Sequence, residues 1–219
     1  MTIYRTADEL EGRAIKEIFR RADTIAELHS CLTSIRGNSF RARLLHALEQ
    51  PMDSAAIDLL RVEAGIQEHG RHLSKLIRFG LIQQEKAEDG ERHVRTKLGE
   101  EAVNALRELE RKIGEDEAAK VYAAALGVNS IRFFLRIYGH KKDPDWEHLQ
   151  VRYSPAEIGR LSLFLPRTLE GISAIDKMNE VGLLVYTDEN YVYMPATRAR
   201  AFYQYLHELL KIVSVPAPA

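Results

Sequence analysis

The 219-residue chain is 45% hydrophobic and 29% charged, the balance of a folded globular protein with enough apolar mass for two small domains. Its 31 Lys and Arg nearly cancel 32 Asp and Glu, for a net charge of −1. That argues against a protein that coats nucleic acid indiscriminately, and any phosphate binding needs cations gathered on one face. One cysteine, Cys31, argues against a disulfide or a thiolate zinc cluster, and no apolar run or signal-peptide pattern points to a membrane, so the expected location is cytoplasmic.

In residues 1–37, Leu10, Ile15, Ile18, Phe19, Ile25, Leu28, Leu32 and Ile35 recur at helical spacing, and Thr24-Ile25-Ala26-Glu27 is a capping box that opens a second helix. This helical extension has an apolar face that needs cover, either from the next unit or from a second copy. A homodimer interface is the expected use. Cys31 falls in the same pattern and reads as a core residue.

Residues 38–116 read as three helices and a hairpin. Ser39 caps a helix with Leu44, Leu45 and Leu48 inward, stopped by Pro51. Asp53 or Ser54 caps the next, with Ile57, Leu59, Leu60 and Val62 as its apolar residues. Ala64-Gly65-Ile66 turns the chain into a third helix carrying Leu73, Leu76, Ile77 and Phe79, and Gly80 ends it. Strands Leu81–Glu85 and Arg92–Arg95 are joined through Asp89-Gly90, a hairpin dipeptide. Thr96 caps a helix that runs through Val103, Leu106, Leu109 and Ile113 to Gly114.

Residues 117–213 repeat the plan. The apolar segment Val121–Tyr138 links the units and supplies the first helix of the second. Ser154-Pro155-Ala156-Glu157 is a capping box with proline at the first helical position, opening a helix that Pro166 breaks. A third helix spans Arg167–Val181, a hairpin turns at Asp188-Glu189-Asn190, and a closing helix spans Ala196–Val213, with Tyr203 and Tyr205 as packing residues. Residues 214–219 read as a disordered tail. Asn38-Ser39-Phe40-Arg41 recurs as Asn129-Ser130-Ile131-Arg132, and Gly80-Leu81-Ile82 as Gly182-Leu183-Leu184, in the same order at similar offset. The fold class expected is mainly α with short β-hairpins (α+β).

The stretch Arg41–Leu109, with "HLSKLIRFGLIQQ" followed by "RTKLGEEAV", resembles the winged helix-turn-helix of the ArsR and MarR families of regulators. "AIDKMNEVGLLVYTDENYVYMPATRARAF" is similar to the same module. The resemblance implies two tandem winged-helix domains, a third helix that enters the major groove of double-stranded DNA, and a hairpin wing on the backbone. The metal-sensing cysteines of many ArsR proteins are absent, so no metal or other cofactor is expected.

With Leu73, Leu76 and Ile77 inward, helical spacing turns Gln67, Glu68, Arg71, His72, Lys75 and Arg78 outward. Arginine pairs bidentately with guanine and glutamine with adenine, whereas lysine grips phosphate. His69 joins this face, and the wing adds Lys86, Arg92, His93 and Arg95. The second unit offers Arg167, Thr168, Ser173 and Lys177, diluted by Glu170, Asp176 and Glu180. His69 and His72 lack a third ligand at metal spacing, and no phosphate loop or nucleophile elbow is present, so an enzyme is not expected. The expected function is sequence-specific DNA binding in transcription regulation. Its rival is a tandem winged-helix interaction subunit of a condensin-like or plasmid-maintenance complex, for which the acidic second unit speaks.

Overall fold

The computed structural model describes residues 2–33, 40–67, 70–88, 90–123, 126–139, 151–153, 156, 169–186 and 192–215. The fold is mainly helical with two small antiparallel sheets, an α+β arrangement. Two helices lead: α1 (Thr2–Arg20) and α2 (Ala22–Leu32). Next come α3 (Phe40–Ala47), β1 (Met52–Asp53), α4 (Ser54–Glu63), α5 (Gly70–Arg78) and the hairpin β2 (Ile82–Ala87) and β3 (Gly90–Arg95). Helices α6 (Lys97–Ile113) and α7 (Glu115–Ala123) lead to α8 (Val128–Gly139), β4 (Val151–Tyr153), α9 (Leu169–Glu180), β5 (Val185–Tyr186), β6 (Val192–Met194) and α10 (Ala196–Ser214).

Both sheets put their first strand beside their last, in the orders β1-β3-β2 and β4-β6-β5. The two sheets therefore share a strand order, in step with the sequence echo. Their glycine stops are alike in detail. Gly80 and Gly182 take φ of 65° and 64°, and each is followed by a leucine whose N–H reaches back to the helix, Leu81 to Leu76 O and Leu183 to Met178 O, both at 2.9 Å. This is a Schellman ending, which needs the left-handed geometry that glycine adopts without penalty.

Local capping sets the other boundaries. Asp53 accepts from Ala56 N at 2.7 Å to start α4, and Thr96 Oγ1 accepts from Gly99 N at 3.1 Å to start α6. Helix α2 begins at Ala22 with no side-chain cap, so Thr24 sits inside its first turn and the expected capping box does not form the boundary. Strands β1 and β4 were not expected; each completes a sheet through β3 or β6, as in the pairing of Met52 with His93. The helix expected from Ser154 to Leu165 lies outside the described residues, apart from a helical Ala156.

One cluster of buried side chains runs from Ile18 to Ile212 through α2, α3, α6, α8 and α10. Its largest members, Phe133, Phe134, Tyr138, Phe202 and Tyr205, join α8 to α10, with Phe134 edge-on to Phe202 at 4.9 Å and Tyr138 stacked on Tyr203 at 4.6 Å. Tyr203 and Tyr205 are thus packing residues. Ile25, Leu28, Cys31 and Leu32 of α2, part of the apolar face that raised the expectation of a dimer, are buried within the chain. On α4 only Ile57 is buried; Leu59 and Val62, two of the apolar residues of this helix, are 69% and 64% exposed.

The α6 N-terminus is packed against the turn after α5. A Cβ on Gly99 would lie 2.1 Å from the Leu81 carbonyl oxygen and 2.8 Å from Arg95 Cγ, and the nearer obstacle is backbone. Gly99→Ala should destabilise the protein by about 1–3 kcal/mol, as overpacking does elsewhere. Urea unfolding of the variant checks this; an unchanged midpoint would show that the α5–α6 corner yields freely.

Candidate nucleic-acid interface

Helix α5 carries no acidic residue, and its core side is Leu73 and Leu76. The opposite face bears Arg71, Ser74, Lys75 and Arg78, all exposed. Arg71, Lys75 and Arg78 stand at i, i+4 and i+7, so their cations form one stripe along the helix. Among the described residues no acid pairs with Arg71 or Lys75. Arg78 is paired: its Nη2 lies 2.9 Å from Glu27 Oε1 of α2, and its guanidinium also lies over the Phe79 ring.

Other expected members of the face are placed differently. His72 is half-buried, its ring edge-on to Phe40 at 5.2 Å and its Nδ1 3.2 Å from Arg41 Nη1, so it packs α5 on α3 and does not project outward. Ile77, expected inward, is 41% exposed. Gln67 is exposed in the loop before α5, where its carbonyl accepts from Arg61 Nη1 at 3.1 Å. His69 lies outside the described residues.

The hairpin alters the expectation of a cationic wing. Its register sets Glu85 opposite Arg92 and Glu91 opposite Lys86, so each of these cations faces a carboxylate across the strands. Lys86 is exposed on β2, whereas Arg92 is half-buried. His93 is buried, with Gln84 Nε2 at 3.3 Å from its ring, and Arg95 donates to the Leu45 carbonyl at 2.9 Å. Arg95 thereby ties the hairpin to α3, while the His93 contact with Gln84 joins the two strands of the hairpin. Arg95 also satisfies a carbonyl near the end of α3, as Arg41 does for α2 through the Ser30 and Cys31 carbonyls.

In the second unit α9 presents Asp176, Asn179 and Glu180 to solvent, while Lys177 is half-buried on the flank. Arg167 and Thr168 lie outside the described residues, as does the side chain of Ser173. Among the described side chains, the outward face of α9 is therefore acidic where that of α5 is cationic. Sequence spacing located the α5 stripe but missed Glu27, which reaches it from a separate helix.

Cys31 is buried beside this region, and burial pushes its thiol up, with Arg41 and Lys75 pulling the other way. A thiol so placed is a poor nucleophile. No group of three or more His, Cys, Asp or Glu able to hold a metal occurs among the described residues, and no described helix is long and apolar enough to cross a membrane. Comparison of the chain with family models, with curated proteins and with solved structures returned no match.

Proposed function

We propose that this chain is a DNA-binding transcriptional regulator of the cytoplasm and nucleoid, built from two winged helix-turn-helix units, and that α5 is its reading helix. The observation that carries the reading is the acid-free outward face of α5, with Arg71 and Lys75 exposed and, among the described residues, paired with no acid. The helix–strand–helix–helix–hairpin order and the first-strand-beside-last sheets support the winged-helix assignment. Arg71 supplies base contact and Lys75 phosphate contact, while the wing contributes through Lys86 alone. A dimer on a palindromic site would have to use a surface other than the buried face of α2.

The acidic α9 favours a second role for the second unit, that of holding a partner or a second copy instead of reading a groove. Both points are open to one titration. Fluorescence anisotropy on a mixed-sequence duplex should show binding whose log affinity falls linearly with log salt, by roughly 0.9 for each phosphate neutralised. Absence of binding at low salt would overturn the reading. Lys177→Ala should leave the slope as it is, and a flatter slope in that variant would return α9 to the interface.

A further inference from the structure

Helix α2 touches both units through its polar residues as well as its core. Asp23 accepts from Arg132 Nη2 of α8 at 3.0 Å, and His29 Nδ1 lies 3.0 Å from the Tyr205 hydroxyl of α10. Toward the first unit, Glu27 pairs with Arg78 of α5, and the Ser30 and Cys31 carbonyls accept from Arg41 of α3. Asp23 and Glu27 are four residues apart, hence on one side of α2, and each carboxylate takes a cation from a different unit.

Of the three cations in the α5 stripe, Arg78 alone is met by a carboxylate among the described residues. The pair is accessible, with side chains 65% and 48% exposed, so the guanidinium is not committed by burial. A carboxylate at 2.9 Å offers Arg78 the same oxygen acceptors and the same charge sign that a DNA phosphate would offer. The two cannot both occupy that side of the guanidinium, and the anionic Glu27 repels a phosphate approaching the end of α5.

We propose that Glu27 is an internal phosphate mimic that withholds Arg78 from DNA, so that the free chain grips with Arg71 and Lys75 and keeps a third cation in reserve. The inference rests on the reading of α5 as the DNA-binding helix. Helix α2 is itself fastened to α8 and α10, so Glu27 is held beside α5 by contacts that do not involve α5.

Salt-dependent anisotropy of the full chain on a mixed-sequence duplex tests it. Glu27→Gln should bind roughly two- to fivefold tighter at low salt, the range expected on breaking an exposed ion pair. Its salt slope should steepen by roughly 0.9, one added phosphate contact. Asp23→Asn removes the same charge from the same helix away from α5, and should change neither quantity. In an Arg78→Ala background the Glu27→Gln gain should vanish. Equal gains from both α2 variants, a gain that survives without Arg78, or no gain while the unaltered chain binds would each overturn the role of Glu27. Failure of the unaltered chain to bind any duplex would instead remove the reading of α5 itself, and circular dichroism melts of the variants separate either result from misfolding.

Discussion

Arg71→Ala is expected to lower affinity for the preferred duplex by about 1–3 kcal/mol, roughly 5- to 150-fold, and to relax base preference at one position of the site. The reason is geometric. Arg71 is exposed at the first turn of α5, and among the described residues no acid pairs with it, so its planar fork can pair with a purine edge, and its loss removes both hydrogen bonds at once. Lys75, one turn on, is a point charge, so Lys75→Ala should weaken binding to all sequences alike and flatten the salt slope by roughly 0.9. Neither side chain contributes to the core, so both variants should melt as the parent does. Selection from a randomised duplex pool, repeated with each variant, reads the difference. Unchanged preference in Arg71→Ala would sink its base-reading role, and an unchanged slope in Lys75→Ala would sink the phosphate contact.

Stability should fall by about 3 kcal/mol as pH drops from about 6.5 to about 4, because of one buried imidazole. His29 is fully buried between α2 and α10, with Tyr205 Oη beside Nδ1 and, among the described residues, no hydrogen-bond partner for Nε2. Burial holds its pKa down to about 4. In the unfolded chain the ring takes a proton near 6.5, so between these values the unfolded state binds the proton and the folded state does not. Stability is whole above 6.5, declines as pH falls, and His29 contributes no further loss below 4. His46 is lowered too, by burial first and then by Arg107 and Arg95, and adds to the decline in the same direction. Glu17 and Glu108 are held down to about 2, the first by Arg20 and Arg21 and the second by Arg111 and Lys112, so their stabilisation is lost only as pH falls from about 4.5 toward 2. Urea titrations at pH 7, 6, 5 and 4.5 should therefore show a decline that His29→Gln largely removes, since glutamine does not titrate and can still bond Tyr205. A variant with the parent's full pH dependence would place the effect elsewhere.

What could be read from the chain alone was whatever depends on neighbours within a few residues. Asp53 and Thr96 start helices because their oxygens reach N–H groups three residues ahead, and Gly80 and Gly182 end helices because only the local left-handed turn is required of them. The α5 stripe belongs to this class as well, since spacing of three and four residues places Arg71, Lys75 and Arg78 together whatever the rest of the fold does. So does the repeat, whose matching glycine stops are local features copied along the chain.

Tertiary structure decided the rest, because helical spacing defines a face without saying what covers it. Leu59, Val62 and Ile77 fit the apolar pattern and yet are exposed, since among the described residues neither α4 nor α5 is covered on those sides. His72, His93 and Arg95 fit the polar pattern and are turned into the unit, where an aromatic ring, a glutamine side chain and a helix-end carbonyl receive them. Strands of two and three residues have no periodicity to detect, and β1 and β4 exist only because β3 and β6 offer free edges. Nor could spacing place Glu27 beside Arg78 or His29 beside Tyr205. Those pairs join helices distant in sequence, and only the packing of α2 between the two units brings the partners within hydrogen-bond reach.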